Sequence, residues 1–86
     1  MPTISSFYGI LIRMFYNDHA PPHFHARYGE FEATSEIESL AVMNGELPAR
    51  ALHLVKEWAL AHRQELIEDW RLCRANAMPA KIAPLA

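Results

Sequence analysis

Residues 7–37 read FYGILIRMFYNDHAPPHFHARYGEFEATSEI, and their pattern indicates how the chain folds. Its first part, Phe7–Tyr16, is rich in aromatic and β-branched side chains, which favours a β-strand. Two adjacent prolines follow, and because proline cannot donate a hydrogen bond inside a central strand, the chain is expected to reverse there. Residues 23–37 then resume extended character, as one strand or as two short strands that meet near Gly29.

The second half of the chain predicts a turn and then a helix. The dipeptide Asn44-Gly45 favours a two-residue hairpin turn, with Glu46-Leu47 as the short return strand. Pro48 suits the first turn of a helix, and residues 48–76 have the apolar spacing of one long helix. Because an uninterrupted helix of this length would reach about 40 Å, a bend or an overhanging end is expected. Its predicted packing stripe contains Leu52, Val55, Ala59, His62, Leu66, Trp70 and Cys73. Most of the helix carboxylates Glu57, Glu65, Glu68 and Asp69 are expected on the solvated side.

Together these patterns predict an α+β fold. We expect a small curved antiparallel sheet of three to five strands, with one long C-terminal helix packed on one face. The 86 residues fit a single domain, with residues 1–47 mainly β, residues 48–76 helical and residues 77–86 an extended tail.

Charge and cysteine content narrow the function classes. Eight basic and ten acidic residues give a net charge of −2, which argues against nucleic acid as a partner. Cys73 is the one cysteine, so neither an intramolecular disulfide nor a thiolate zinc cluster can form. No signal peptide and no run of about 20 apolar residues is present, so we expect a cytoplasmic protein with no membrane partner.

Three histidines within seven residues form the sharpest candidate site. His19, His23 and His25 are spaced H-x3-H-x-H, and the last two fall on one face of an extended segment. Imidazoles so placed are candidate ligands for zinc, nickel, copper or another divalent transition metal. No fourth ligand is evident from the spacing, although the carboxylates of Asp18, Glu30 and Glu32 are close in sequence. No other cofactor is expected.

The same histidines have two other interpretations. As acid–base groups they would work with Arg13 or Arg27, which would stabilise an anionic transition state in phosphodiester cleavage. As structural groups they would cap turns and hydrogen-bond backbone around the proline corner. Alternation places His23, His25 and Arg27 on one face and leaves Phe24 to the core, so the histidine face is expected to be open to water.

Nearly the whole chain resembles a known bacterial family. The segment HAPPHFHARYG from His19 to Gly29, NGELPARALHLVKEWALAHRQELIEDW and the closing KIAPL are similar to domain-of-unknown-function family 4160. The resemblance implies a stand-alone cytoplasmic protein, often encoded beside a member of domain-of-unknown-function family 2442. That arrangement resembles a two-gene module of toxin–antitoxin type, and it implies no reaction.

Two function classes therefore stay open. The favoured hypothesis is a protein-interaction or regulatory module. It would be one half of a toxin–antitoxin-like pair, and its partner would be the neighbouring gene product. Its partner-binding residues are not identifiable from the sequence, and its uncovered strand edges also allow a homodimer. The alternative is a hydrolase, a nuclease or a divalent-metal-binding protein that uses His19, His23 and His25. No nucleophile–base pair is identifiable, which makes an enzyme the second choice.

Overall fold

A computed structural model describes residues 2–86 as one five-stranded antiparallel sheet with two helices. The elements are β1 (Thr3–Phe7), β2 (Ile10–Arg13), β3 (His23–Tyr28), β4 (Phe31–Glu36), β5 (Val42–Glu46), α1 (Ala49–Ala61) and α2 (Arg63–Arg74). Each strand pairs with its successor in the order β1-β2-β3-β4-β5. The α+β class and the antiparallel sheet are confirmed, although the sheet is only weakly curled.

The predicted first strand is in fact the end of one hairpin strand and the whole of another. Phe7 pairs with Ile10, and the two residues between them form the turn. Tyr8 and Gly9 have φ angles of 50° and 80°, the positive values that a type I′ turn requires at both positions. A turn at Tyr8 and Gly9 therefore separates β1 from β2. Of the two possibilities for residues 23–37, one strand or two, the structure has two, β3 and β4.

The predicted turn at Asn44-Gly45 is wrong, because both residues lie inside β5. Asn44 pairs with Thr34 and Gly45 pairs with Ala33 of β4. Gly45 has φ of 74°, and a Cβ placed on it would lie 2.1 Å from the carbonyl oxygen of Glu32. The glycine is thus needed for a close approach of two strands and not for a reversal of the chain.

The single long helix predicted over residues 48–76 is also wrong. Helix α1 ends at Ala61, His62 leaves the helical region with φ of −124°, and α2 begins at Arg63. An unbroken helix over both would reach about 39 Å, whereas the longest extent of the molecule is 33 Å. The break lets both helices keep their apolar sides on the sheet. No helix among residues 2–86 has the length and hydropathy needed to cross a membrane.

The core lies between the sheet and the helices, and the tail closes one edge of it. Ile10, Ile12, Phe24 and Trp58 are fully buried there. In the tail, buried Ile82 donates its backbone N–H to the carbonyl of Ile4 in β1 at 2.8 Å. The β1 edge is therefore covered, and within residues 2–86 no backbone hydrogen bond reaches the outer edge of β5.

Asp69 departs from the expected solvated face of the helix. It is 2% exposed, and its Oδ1 accepts the backbone N–H of Ala80 at 2.9 Å. Burial raises the pKa of Asp69 above its ordinary value, the Ala80 hydrogen bond opposes that rise, and the nearby charges of Glu65 and Glu68 add to it. The carboxyl group thus fastens the tail to α2, a role that the charge pattern of the helix does not reveal.

Candidate metal centre

The connection between β2 and β3 is anchored at both ends. Asn17, in a left-handed conformation with φ of 52°, donates its N–H to the carbonyl of Cys73 at the end of α2. At the other end Ile37 donates its N–H to the carbonyl of Pro22 at 3.0 Å. These anchors hold Asp18 against the first residues of β3, so the side chains there are positioned by the fold and not by a free loop.

Asp18, His23 and His25 come together at this connection. One side-chain atom from each residue lies within 4.8 Å of the other two. The Oδ2 atom of Asp18 is 2.8 Å from His23 Nε2 and 3.8 Å from His25 Nε2. Ligands of a tetrahedral zinc ion at ordinary bond lengths are about 3.3 Å apart, so the two distances bracket the value that a shared ion requires.

His23 faces an acceptor on each side of its ring. Its Nδ1 lies 2.7 Å from the carbonyl oxygen of Pro21, and its Nε2 lies 2.8 Å from Asp18 Oδ2. Because the carbonyl can only accept, Nδ1 must carry a proton, and in a neutral ring Nε2 would then present a lone pair to a carboxylate. Two states relieve that repulsion: a doubly protonated ring, or a metal ion bound to both Nε2 and Oδ2.

His25 supplies a nitrogen that lacks a partner. Its Nε2 is buried and makes no hydrogen bond with any of residues 2–86. Its other nitrogen, Nδ1, lies 3.4 Å from Thr34 Oγ1 and 3.6 Å from Glu32 Oε2. The ring is stacked on Phe15, with centroids 4.2 Å apart and planes 16° apart. Packing therefore holds the orphaned Nε2 toward Asp18, where a buried polar atom normally has a partner.

The electrostatics at Asp18 favour the ionised carboxylate. Burial alone would raise the pKa of Asp18, but hydrogen bonds from the His19 backbone N–H and from His23 outweigh it. The charges of the same two histidines act in the same direction, so the pKa of Asp18 lies below its ordinary value. A carboxylate ionised at neutral pH is the form that binds a metal ion.

A cleft of about 410 Å³ opens beside the three residues. It is lined by Phe15, Asp18, His19, Ala20, His23, His25, Thr34, Met43 and Asn44. Trp70 packs against His23 from the other direction, with ring centroids 5.0 Å apart. The centre therefore has an apolar back and an open side, the arrangement in which an ion keeps one position for water or a ligand.

The structure separates the predicted site residues into two groups. His23 and His25 meet as expected, but the side chain of His19 is 96% exposed and Asp18 occupies the third place. Arg13 lies across the strand pair from His25, and Arg27 is exposed with its Nε bonded to the carbonyl of Gly29. His23 is only 6% exposed, so the expectation that the whole histidine face is open to water is wrong for it.

In the sequence pattern, Asp18 is only one of several carboxylates near the three histidines. Spacing alone favoured His19, because three histidines form a more conspicuous pattern than one aspartate and two histidines. What decides between the neighbours is the left-handed Asn17, which turns the Asp18 side chain inward and leaves His19 at the rim. A positive φ angle at Asn17 is allowed by its residue type, yet the sequence does not require it.

Comparison with known proteins identifies a family but no activity. A family model described as Domain of unknown function (DUF4160) matches residues 9–71, a span that includes Asp18, His23 and His25. No curated protein and no solved structure matches the chain. What the site does must therefore be argued from its own geometry.

Proposed function

This chain belongs to the family described as Domain of unknown function (DUF4160), and from the geometry of its site we propose that it is a divalent-metal-binding protein with ligands Asp18, His23 and His25. The observation that carries the proposal is the orphaned, buried Nε2 of His25, held by packing toward the Asp18 carboxylate. Two imidazoles and a carboxylate form a donor set common in zinc and other transition-metal sites.

A bound ion would resolve both unusual features of the site. It would take the lone pair of His25 Nε2, which otherwise lacks a partner, and it would separate the lone pairs of His23 Nε2 and Asp18 Oδ2. The hydrogen bond from His23 Nδ1 to the Pro21 carbonyl fits this state, because metal-bound histidines usually donate their second N–H to a backbone carbonyl or a carboxylate. Zinc is our first choice of ion.

We expect the chain to bind one zinc ion and Asp18→Asn to weaken that binding about a hundredfold or more, since even residues behind the ligands contribute 10–100-fold. Asparagine keeps the shape of the side chain and removes its charge, so the fold should survive. His25→Ala should have a similar effect. Competition with a chromogenic chelator measures the affinity, and circular dichroism checks the fold.

The matched control for these variants is His53→Ala, which removes an exposed histidine from α1. Its zinc affinity should equal that of the wild type. Zinc binding that falls equally in the His53 and His25 variants would indicate nonspecific uptake by surface imidazoles and would contradict the proposal.

A second candidate function, the interaction or regulatory module, is favoured by the open edge at β5. All five residues of β5 are exposed, and Val42 and Met43 are 38% and 45% exposed. An uncovered strand edge invites an added strand from another chain. We propose that an extended segment of the neighbouring gene product, a member of domain-of-unknown-function family 2442, pairs with this edge, as in a toxin–antitoxin-like pair.

A hydrolase or nuclease has less support, because His19 is exposed and Arg27 is bonded to Gly29.

Co-expression with the neighbouring gene product is expected to give one peak that contains both proteins in size-exclusion chromatography. Met43→Lys should separate them, because a lysine on a strand edge blocks pairing. Met78→Lys is the matched control: Met78 is 77% exposed in the tail, and its replacement should leave the complex intact. Separate wild-type peaks, or a β5-dependent homodimer that the partner does not displace, would contradict the proposal.

A further inference from the structure

A second cleft lies next to the metal centre on the face of the sheet opposite the helices. Its volume is about 240 Å³, and it is lined by Leu11, Arg13, Phe15, His25, Arg27 and Glu32. Phe15 and His25 line both clefts, so they form the border between this cleft and the metal centre.

Arg13 is the unusual residue of this cleft. It lies directly across the β2–β3 pair from His25 and is half-buried. Among residues 2–86 no carboxylate pairs with its guanidinium group and no acceptor is hydrogen-bonded to it. In contrast, Arg71 pairs with Glu68, and Arg63 donates to the carbonyl of Ile37. A half-buried guanidinium without a partner is a group ready to bind an anion.

We propose that this cleft binds the phosphate group of a small phosphate ester, with Arg13 as the principal donor. This inference deepens the proposed function and rests on it, since it names the class of ligand that the metal centre would meet. Arg27 also lines the cleft, and the tetrahedral oxygens of a phosphate can accept from donors in more than one direction. Phe15 and His25 place that phosphate at the border of the metal centre.

The surrounding charges favour one phosphate group over a polynucleotide. Glu32 lies across β3–β4 from Arg27, and its Oε2 is 3.6 Å from His25 Nδ1. The two arginines of the cleft outnumber this one carboxylate, so the cleft keeps a net positive charge. Glu46 lies across β4–β5 from Glu32 and is exposed, so the same face becomes acidic toward its β5 edge. A strand of several phosphates would meet both carboxylates, whereas a single phosphate at Arg13 would meet only Glu32.

Phenyl phosphate is the probe for this site, titrated into the zinc-loaded and the metal-free protein and followed by calorimetry. We expect Arg13→Gln to weaken phenyl phosphate binding about tenfold or more, as one lost charged hydrogen-bond donor predicts, and to leave zinc affinity unchanged. Arg13→Lys keeps the charge without the fork of donors and should fall between. Arg50→Gln, on α1 outside this cleft, is the matched control and should bind like the wild type.

The outcomes separate the two proposals. Zinc uptake without phenyl phosphate binding, or equal binding by the Arg13→Gln and wild-type proteins, would overturn the phosphate site and leave the metal centre standing. Binding of benzoate or of a short oligonucleotide more tightly than phenyl phosphate would overturn the phosphate site as well. Absent zinc uptake would contradict the metal centre, and phenyl phosphate binding that still depended on Arg13 would then support the cleft as an anion site.

Discussion

Trp58→Ala is expected to lower the free energy of unfolding by about 3–5 kcal/mol, the usual cost of removing a buried tryptophan. Trp58 is fully buried and contacts Phe7 and Phe24, with ring centroids at 5.2 and 6.0 Å. Its Nε1 also donates to the carbonyl of Ala83 at 2.8 Å, which fastens the tail to α1. Because a chain of this size has a total stability of roughly 4–13 kcal/mol, the variant should lose much of it.

Urea denaturation followed by circular dichroism measures this effect. Leu60→Ala is the control on the same helix, because Leu60 is 62% exposed and its truncation should change the stability by less than about 0.5 kcal/mol. Trp58→Phe keeps most of the packing and loses the hydrogen bond to Ala83, so it should fall between the two. Equal unfolding midpoints for Trp58→Ala and Leu60→Ala would mean that Trp58 is not central to the core.

Gly45→Ala should be the most damaging change in the sheet, with a loss in the free energy of unfolding of about 2–5 kcal/mol. A left-handed backbone costs a residue with a side chain about 1–2 kcal/mol, and an overfilled contact adds about 1–3 kcal/mol. Both costs apply here, since Gly45 has φ of 74° and its added Cβ would lie 2.1 Å from the Glu32 oxygen. The strands cannot separate at this point without breaking the β4–β5 ladder.

Gly29→Ala separates the cost of the left-handed backbone from the cost of the overfilled contact. Gly29 has φ of 60°, but nothing lies within 4 Å of a Cβ placed on it. It should therefore show only the backbone cost, and the difference between the two variants measures the close approach of β5 to β4. Equal losses of stability in the two variants would show that β5 does not approach Glu32 as closely as the structure places it.

These glycines also show why the fold could be only partly predicted from the sequence. The α+β class and the antiparallel sheet follow from patterns that act locally: β-branched runs, alternation and the apolar spacing of the helices. Gly9 and Gly45 both have positive φ angles, yet one lies in a turn and the other inside a strand. Which role a glycine takes depends on the neighbouring strand, and this is tertiary information.

The break at His62 and the burial of Asp69 have the same cause. Apolar spacing continues through residue 62, so it predicts one helix, but the size of the sheet limits how far a straight helix can pack on it. Asp69 occupies a polar position of the helix pattern, and the returning tail covers it. Neither the extent of the sheet nor the path of the tail can be deduced from helical periodicity.

The candidate site could be predicted in part because strand geometry is a local property. Histidines at positions 23 and 25 share a face because strand alternation has a period of two, and this local rule placed them together. The third position depends on the backbone at Asn17. The N–H of Asn17 is hydrogen-bonded to the carbonyl of Cys73 in α2, which is far away in the chain. The orphaned nitrogen of His25, on which the proposed function rests, can be recognised only in three dimensions.

A metal ion held by Asp18, His23 and His25 can be detected by long-range ¹H–¹⁵N correlation NMR of the histidine rings. One equivalent of zinc is expected to shift the Nε2 resonances of His23 and His25 into the metal-bound range. The Nδ1 of His23 should stay protonated, because it donates to the Pro21 carbonyl. The rings of His53 and His62 should not respond. If the Nε2 resonances of His23 and His25 stay unchanged while zinc perturbs only the exposed His19 and His53, the proposed metal centre is contradicted.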